Sequence, residues 1–129
     1  MEEDGALVLV VDDVEAIVDE LLTLLALQNI PAIGAHTLSE AIAALESAPA
    51  VSVIACDVRL DRETGLDIIP RIRDSRSLQA RAFHYVFVTG DPMRLDLLPD
   101  MPRHSVLTKP VQPQALVRLL RELLAQAGA

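Results

Sequence analysis

The chain has no tryptophan, a single cysteine, a single lysine and three aromatic residues in 129 positions. One cysteine, Cys56, cannot close an internal disulfide, so no disulfide framework holds the fold, in keeping with a reducing compartment. No run of about 18 apolar residues is present to span a bilayer, which argues for a soluble protein without membrane insertion. The acidic start, Met1-Glu2-Glu3-Asp4-Gly5, lacks the basic region and apolar stretch of a secretory signal. A cytoplasmic location is the expectation. The formal net charge of -8 would repel phosphate backbones, and Phe83, Tyr85 and Phe87 share one short segment, so direct nucleic-acid binding is not expected.

What is present is apolar substance for one core: 51% of the residues are hydrophobic, and the length suits one domain spanning 1–129 with no output domain. Ala6 to Val11 is a continuous apolar run rich in valine, the pattern of a strand buried on both faces of a parallel sheet. Similar runs recur at Pro31 to Ala35, Val51 to Cys56, Tyr85 to Thr89 and Ser105 to Thr108.

The intervals read as helices. Val14 to Gln28 places Ile17, Leu21, Leu24 and Leu25 on one side, has acidic residues in its first half, and stops at Asn29. Thr37-Leu38-Ser39-Glu40 reads as a capping box for a helix to about Ser47, closed by Pro49. A third helix follows Gly65. Between Asp91 and Arg103, Pro92, Pro99 and Pro102 leave room only for a short or irregular element. The last helix starts near Pro113 and gathers Leu116, Leu119, Leu120, Leu123 and Leu124 on one face, an excess of leucine that leaves a weak dimer open beside a monomer. Five alternations of strand and helix predict an α/β sandwich: a five-stranded parallel sheet with helices on both faces.

Ligands of such sheets bind beyond the carboxyl ends of the strands. Here those ends are polar: Asp12-Asp13 after the first strand, Asp57 after the third, Thr89-Gly90 after the fourth and Lys109-Pro110 after the fifth. Three carboxylates gathered at one place call for a cation, and hard oxygen donors suit magnesium. A hydroxyl and an ammonium beside them suit the oxygens of a transferred phosphoryl group. Lys109 is the only lysine against ten arginines, which points to a need for a compact ammonium there. Each motif alone has a plainer reading: Asp12-Asp13 as a turn and helix cap, Thr89-Gly90-Asp91-Pro92 as a turn, Thr108-Lys109-Pro110 as a strand exit. His36, His84 and His104 are too far apart to read as metal ligands and are expected at the surface or at strand edges. Cys56, next to Asp57, should point to the opposite face as a small buried hydrophobe.

The ordered set Val-Val-Asp12-Asp13, Cys56-Asp57, Val88-Thr89-Gly90 and Thr108-Lys109-Pro110 resembles the receiver domain of bacterial two-component response regulators, over essentially the whole chain. The resemblance implies a flavodoxin-like fold with strand order 2-1-3-4-5. It implies that Asp57 accepts a phosphoryl group from a sensor histidine kinase or a histidine phosphotransfer protein. Asp13 and Asp57 would ligate Mg2+ directly, Asp12 through a water, and the Arg59 backbone carbonyl would complete the protein's share. Thr89 and Lys109 would grip phosphoryl oxygens and pass the signal toward the family's fourth helix, fifth strand and last helix, and so to a downstream protein target. Gly90 would leave space for access, and the Lys109-Pro110 bond would be cis. The domain would be a switch that phosphorylates and dephosphorylates itself, not an enzyme acting on outside substrates.

The sequence departs from the family in three places. Val106 stands where an aromatic residue usually switches, Asp61 stands where proline is common, and the fourth helix is interrupted by proline. Arg59 could lean over the site or point to solvent, and solvent is the expectation. Two rival functions are an unphosphorylated receiver-like scaffold that binds proteins, and a Mg2+-dependent phosphohydrolase. The second would want Asp-x-Asp on the first strand plus a cap or an acid-base carboxylate, whereas here the candidate nucleophile lies on the third strand and there is no cap-sized insertion.

Overall fold

The computed structural model describes residues 5–94 and 101–127. Strand and helix alternate as β1 (Val8–Val11), α1 (Glu15–Leu27), β2 (Ala32–Ala35), α2 (Leu38–Ser47), β3 (Val53–Asp57), α3 (Ile68–Arg73), β4 (His84–Thr89), β5 (His104–Thr108) and α4 (Pro113–Ala127). A 3-10 turn over Gly65–Asp67 leads into α3, and another spans Pro92–Arg94. The five strands are parallel in the order β2-β1-β3-β4-β5. That is the predicted architecture. The short element expected between Asp91 and Arg103 appears as the Pro92–Arg94 turn, and positions 95–100, which include Pro99, lie outside the described residues.

Local chemistry explains the boundaries. Asn29 takes φ 61 just past α1, a left-handed conformation that asparagine tolerates, so the helix stops where the sequence suggested. Thr37 accepts the Glu40 N–H through Oγ1 at 3.1 Å, while the Glu40 carboxylate accepts the His36 N–H at 3.0 Å, one residue earlier than an ideal capping box places it. The C-terminal end of α2 is closed from a distance. The Arg81 guanidinium donates to the carbonyls of Leu45 at 2.7 Å, Ala48 at 3.0 Å and Val51 at 2.9 Å, and lies 4.8 Å from the centre of the Phe83 ring.

Alternation along the strands separates two cores. Leu9, Val11, Ile54, Cys56, Tyr85 and Phe87 face α2 and α3, where Leu38, Leu45, Ile68 and Ile72 cover them. Val8, Val10, Val53, Ala55 and Val86 face α1 and α4, where Leu25, Leu116, Leu120 and Leu123 cover them. Both β1 and β3 are buried throughout, which is why they read as unbroken apolar runs. The leucine face of α4 is core as expected, with Leu119 and Leu124 half-buried at its margin. On α1 the pattern is less complete: Val18 and Leu25 are buried, but Ile17 is 38% exposed. Phe83, Tyr85 and Phe87 do form one aromatic row, with Tyr85 stacked on Phe87 at 5.8 Å and Phe83 edge-on to Tyr85 at 6.4 Å.

Candidate functional site

Parallel pairing carries β1, β3, β4 and β5 to the same edge of the sheet, so residues far apart in sequence emerge together there. Asp12 and Asp57 follow the same alternation as Val10 and Ala55, and both are buried. Asp13 is exposed beside them. One carboxylate oxygen from each of Asp12, Asp13 and Asp57 lies within 4.8 Å of the others, and this is the one such cluster of possible metal ligands among the described residues. An all-oxygen, all-carboxylate set of this kind fits a hard divalent cation such as magnesium.

The two buried carboxylates are oriented by backbone and side-chain donors. Asp12 Oδ1 accepts the Val14 N–H at 2.9 Å. The turn half of the plain reading of Asp12 therefore holds, but not the cap half, since the N-cap of α1 is Val14 without a side-chain bond. The same turn bond aims the Asp12 carboxyl. Asp57 Oδ1 accepts the Arg59 N–H at 3.1 Å, and Asp57 Oδ2 accepts from Lys109 Nζ at 2.8 Å. The Lys109 N–H donates to the Thr89 carbonyl at 2.9 Å, and the following bond to Pro110 is cis. Burial raises the Asp12 carboxyl above the ordinary carboxylate range. The Val14 N–H opposes this, the neighbouring Asp57 and Asp13 charges add to it, and the Lys109 ammonium partly offsets them. A cation at the cluster would relieve that repulsion.

Thr89 is buried at the end of β4, with Oγ1 accepting the Asp91 N–H at 3.2 Å. Thr89, Gly90, Lys109, Asp57 and Arg59 line one open depression of about 650 Å3. All the sequence-designated site residues thus meet at one strand edge. The Arg59 side chain is exposed while its backbone belongs to the site. A Cβ at Gly90 would meet nothing within 4 Å and would stand in the open space of this depression. Val106 is 36% exposed on β5. The histidines lie elsewhere: His36 contacts Glu40, His84 Nε2 contacts Ser105, and His104 Nδ1 contacts the Pro102 carbonyl.

Several supporting residues had no signal in the sequence. The loop after Asp57 folds back on itself through an Arg59–Thr64 bridge, with Gly65 N–H on the Val58 carbonyl at 2.7 Å and Leu60 N–H on the Glu63 carbonyl at 3.1 Å. Glu63 ties this loop to α2: Oε2 accepts the Leu38 N–H at 3.0 Å, and Oε1 accepts from Arg71 at 3.3 Å. Cys56 points into the α2–α3 core as expected, where its Sγ contacts the Asp57 carbonyl at 3.3 Å. Burial pushes its thiol up, so it stays protonated and unreactive.

The model of the response regulator receiver domain matches residues 8–121. Among solved structures, a response regulator receiver protein from Pseudomonas putida is 30% identical, with 91% of this chain and 96% of that one covered at a TM-score of 0.69. The chemotaxis response regulator CheY4 of Vibrio cholerae is 23% identical, with 92% and 98% covered at a TM-score of 0.76. A CheY-like receiver domain from Methylobacillus flagellatus is 19% identical, with the same coverage and a TM-score of 0.76. No curated protein matches the chain. The fold is thus a flavodoxin-like sandwich of the CheY type. The chain belongs to the response regulator receiver domain family.

Proposed function

We propose that this domain is a phosphoryl-accepting signalling switch of a two-component system, in which Asp57 receives the phosphoryl group. The observation that carries the reading is the placement of Asp57: within a cluster of three carboxylates, and bonded to the ammonium of the chain's only lysine at 2.8 Å. Asp12, Asp13 and Asp57, with the Arg59 carbonyl, would hold Mg2+. When bound, the ion neutralises charge on the phosphoryl oxygens and on the carboxylates around them.

The rest is the chain's own work. A phosphohistidine on a kinase or phosphotransfer protein presents its phosphorus in line with an Asp57 oxygen. The O–P bond forms as the P–N bond breaks, and the imidazole leaves with the bonding electron pair. Lys109 then exchanges its hold on the carboxylate for a phosphoryl oxygen, and the Thr89 hydroxyl supplies a further donor. Return to the resting state is hydrolysis of the acyl phosphate, so the domain switches without turning over an outside substrate. Supply from a kinase places this work in the cytoplasm, with a downstream protein as the reader of the state. With Val106 on β5, that reader is addressed without rotation of an aromatic side chain at this position.

The test is intact-mass measurement after incubation with Mg2+ and acetyl phosphate, with Asp57→Ala as control. A single added phosphoryl that decays with time and is absent from Asp57→Ala is the expected result. A protein that neither takes up phosphoryl nor binds Mg2+ would refute the reading and favour the unphosphorylated scaffold.

A further inference from the structure

On the α1–α4 side of the sheet, directly behind the Asp12 and Asp57 carboxylates, lies a cavity of about 530 Å3. This is within the range of about 300–1,000 Å3 typical of small-molecule pockets. Ala55 and Val88 form its floor, Ile17 and Leu21 of α1 one wall, and Leu116 and Leu120 of α4 the other. Ala55 is buried and presents only a methyl group at the centre of the sheet, so it fills little of the space between the sheet, α1 and α4. Ile17 is 38% exposed and the neighbouring Val14 45% exposed, so apolar surface continues to the rim. Water in such a space finds few polar partners, and an apolar group that replaces it gains.

The mouth has the opposite character. Asp12, Asp57 and Lys109 stand there, with Asp13 completing the carboxylate cluster, so three acidic groups face one ammonium. That ammonium is already paired with Asp57. The excess negative charge repels an organic anion and attracts a cation. An uncharged apolar molecule would fill the walls and leave the mouth unanswered. A molecule with a protonated amine on an apolar body would match both ends.

We propose that this cavity binds a small organic cation, with an aromatic or aliphatic body seated between α1 and α4 and a primary ammonium at the Asp12–Asp57 mouth. The cavity shares Asp12, Asp57 and Lys109 with the phosphorylation site, but binding of an organic cation there does not require that Asp57 be phosphorylated. Occupancy of the mouth by an ammonium would also oppose a divalent cation at the same carboxylates.

Tryptamine is a direct probe, since the chain has no tryptophan and indole emission then belongs to the ligand alone. Titrating metal-free protein into tryptamine should raise its fluorescence anisotropy along a saturable curve. Indole-3-acetate, with the same ring and the opposite charge, should bind at least about tenfold more weakly. Ala55→Leu, which fills the cavity from the floor, and Leu116→Phe, which fills it from α4, should each weaken tryptamine at least about tenfold and leave the carboxylates in place. Circular dichroism identifies the folded variant if only one of them folds. Equal binding of tryptamine to the wild type and to a folded cavity-filled variant would mean attraction to surface carboxylates alone and would overturn the proposal. So would equal binding of indole-3-acetate and tryptamine, or no saturable binding of tryptamine.

Discussion

Replacing Gly65 by alanine tests how tightly the nucleophile's own backbone is packed. A Cβ at this position would lie 2.1 Å from the Asp57 carbonyl oxygen and 2.8 Å from Cys56 Sγ, against 3.4–4 Å for ordinary contact. Loop and strand would have to part by about 1 Å. The loop cannot yield easily, because Gly65 N–H is bonded to Val58 at 2.7 Å and Glu63 is anchored on α2 through the Leu38 N–H at 3.0 Å. Overpacking against backbone on this scale costs about 3 kcal/mol, which for a domain of this size is a fall in Tm of about 10 °C. The strand end that moves carries Asp57, and a misplacement of about 1 Å at a reacting group costs about 100-fold in rate. Urea unfolding and the rate of phosphoryl uptake from acetyl phosphate read the two effects separately. Gly65→Ala within about 0.5 kcal/mol of wild-type stability, with uptake within about threefold, would refute the reasoning on both counts.

Three further expectations follow from other parts of the molecule. Arg81→Ala should lose about 2 kcal/mol in urea unfolding, since it removes charged donors from four carbonyls between Leu45 and Val51, at and just past the end of α2, and a cation over Phe83. Arg81→Lys should recover less than half of that loss, because one ammonium cannot match the planar fork. Burial, with Arg103 and His104 adding, holds His84 below the ordinary histidine range. The unfolded chain then binds more protons as pH falls below about 6.5, so stability present above that pH is lost on acidification, at no more than about 1.4 kcal/mol per pH unit for this group. His84→Asn should flatten that part of the stability profile measured by denaturation from pH 7 to 5. Arg59→Ala keeps the backbone N–H that Asp57 uses and removes only an exposed side chain, so the phosphoryl lifetime followed by intact mass should stay within about threefold of wild type. A larger change would mean that the guanidinium reaches the site.

The fold class and the strand-end residues were legible in the sequence because their signals are local. Unbroken valine-rich runs mark strands buried on both faces, Asn29 and Thr37 mark helix ends, and a parallel sheet necessarily sends Asp12, Asp57, Thr89 and Lys109 to one edge. What the sequence could not supply was the meeting of distant groups. The Asp57–Lys109 bond joins positions 52 apart, Glu63 meets Leu38 across 25, and Arg81 caps a helix that ended more than 30 residues earlier. Ile17 fits the apolar stripe of α1 yet stands 38% exposed, lining with Ala55 a space that the neighbouring side chains do not fill. Periodicity reports which face a residue takes, whereas the volume left between two faces depends on pairs of side chains brought together only by the tertiary fold. That is why the site could be named from strand ends, and the cavity behind it only from the packed structure.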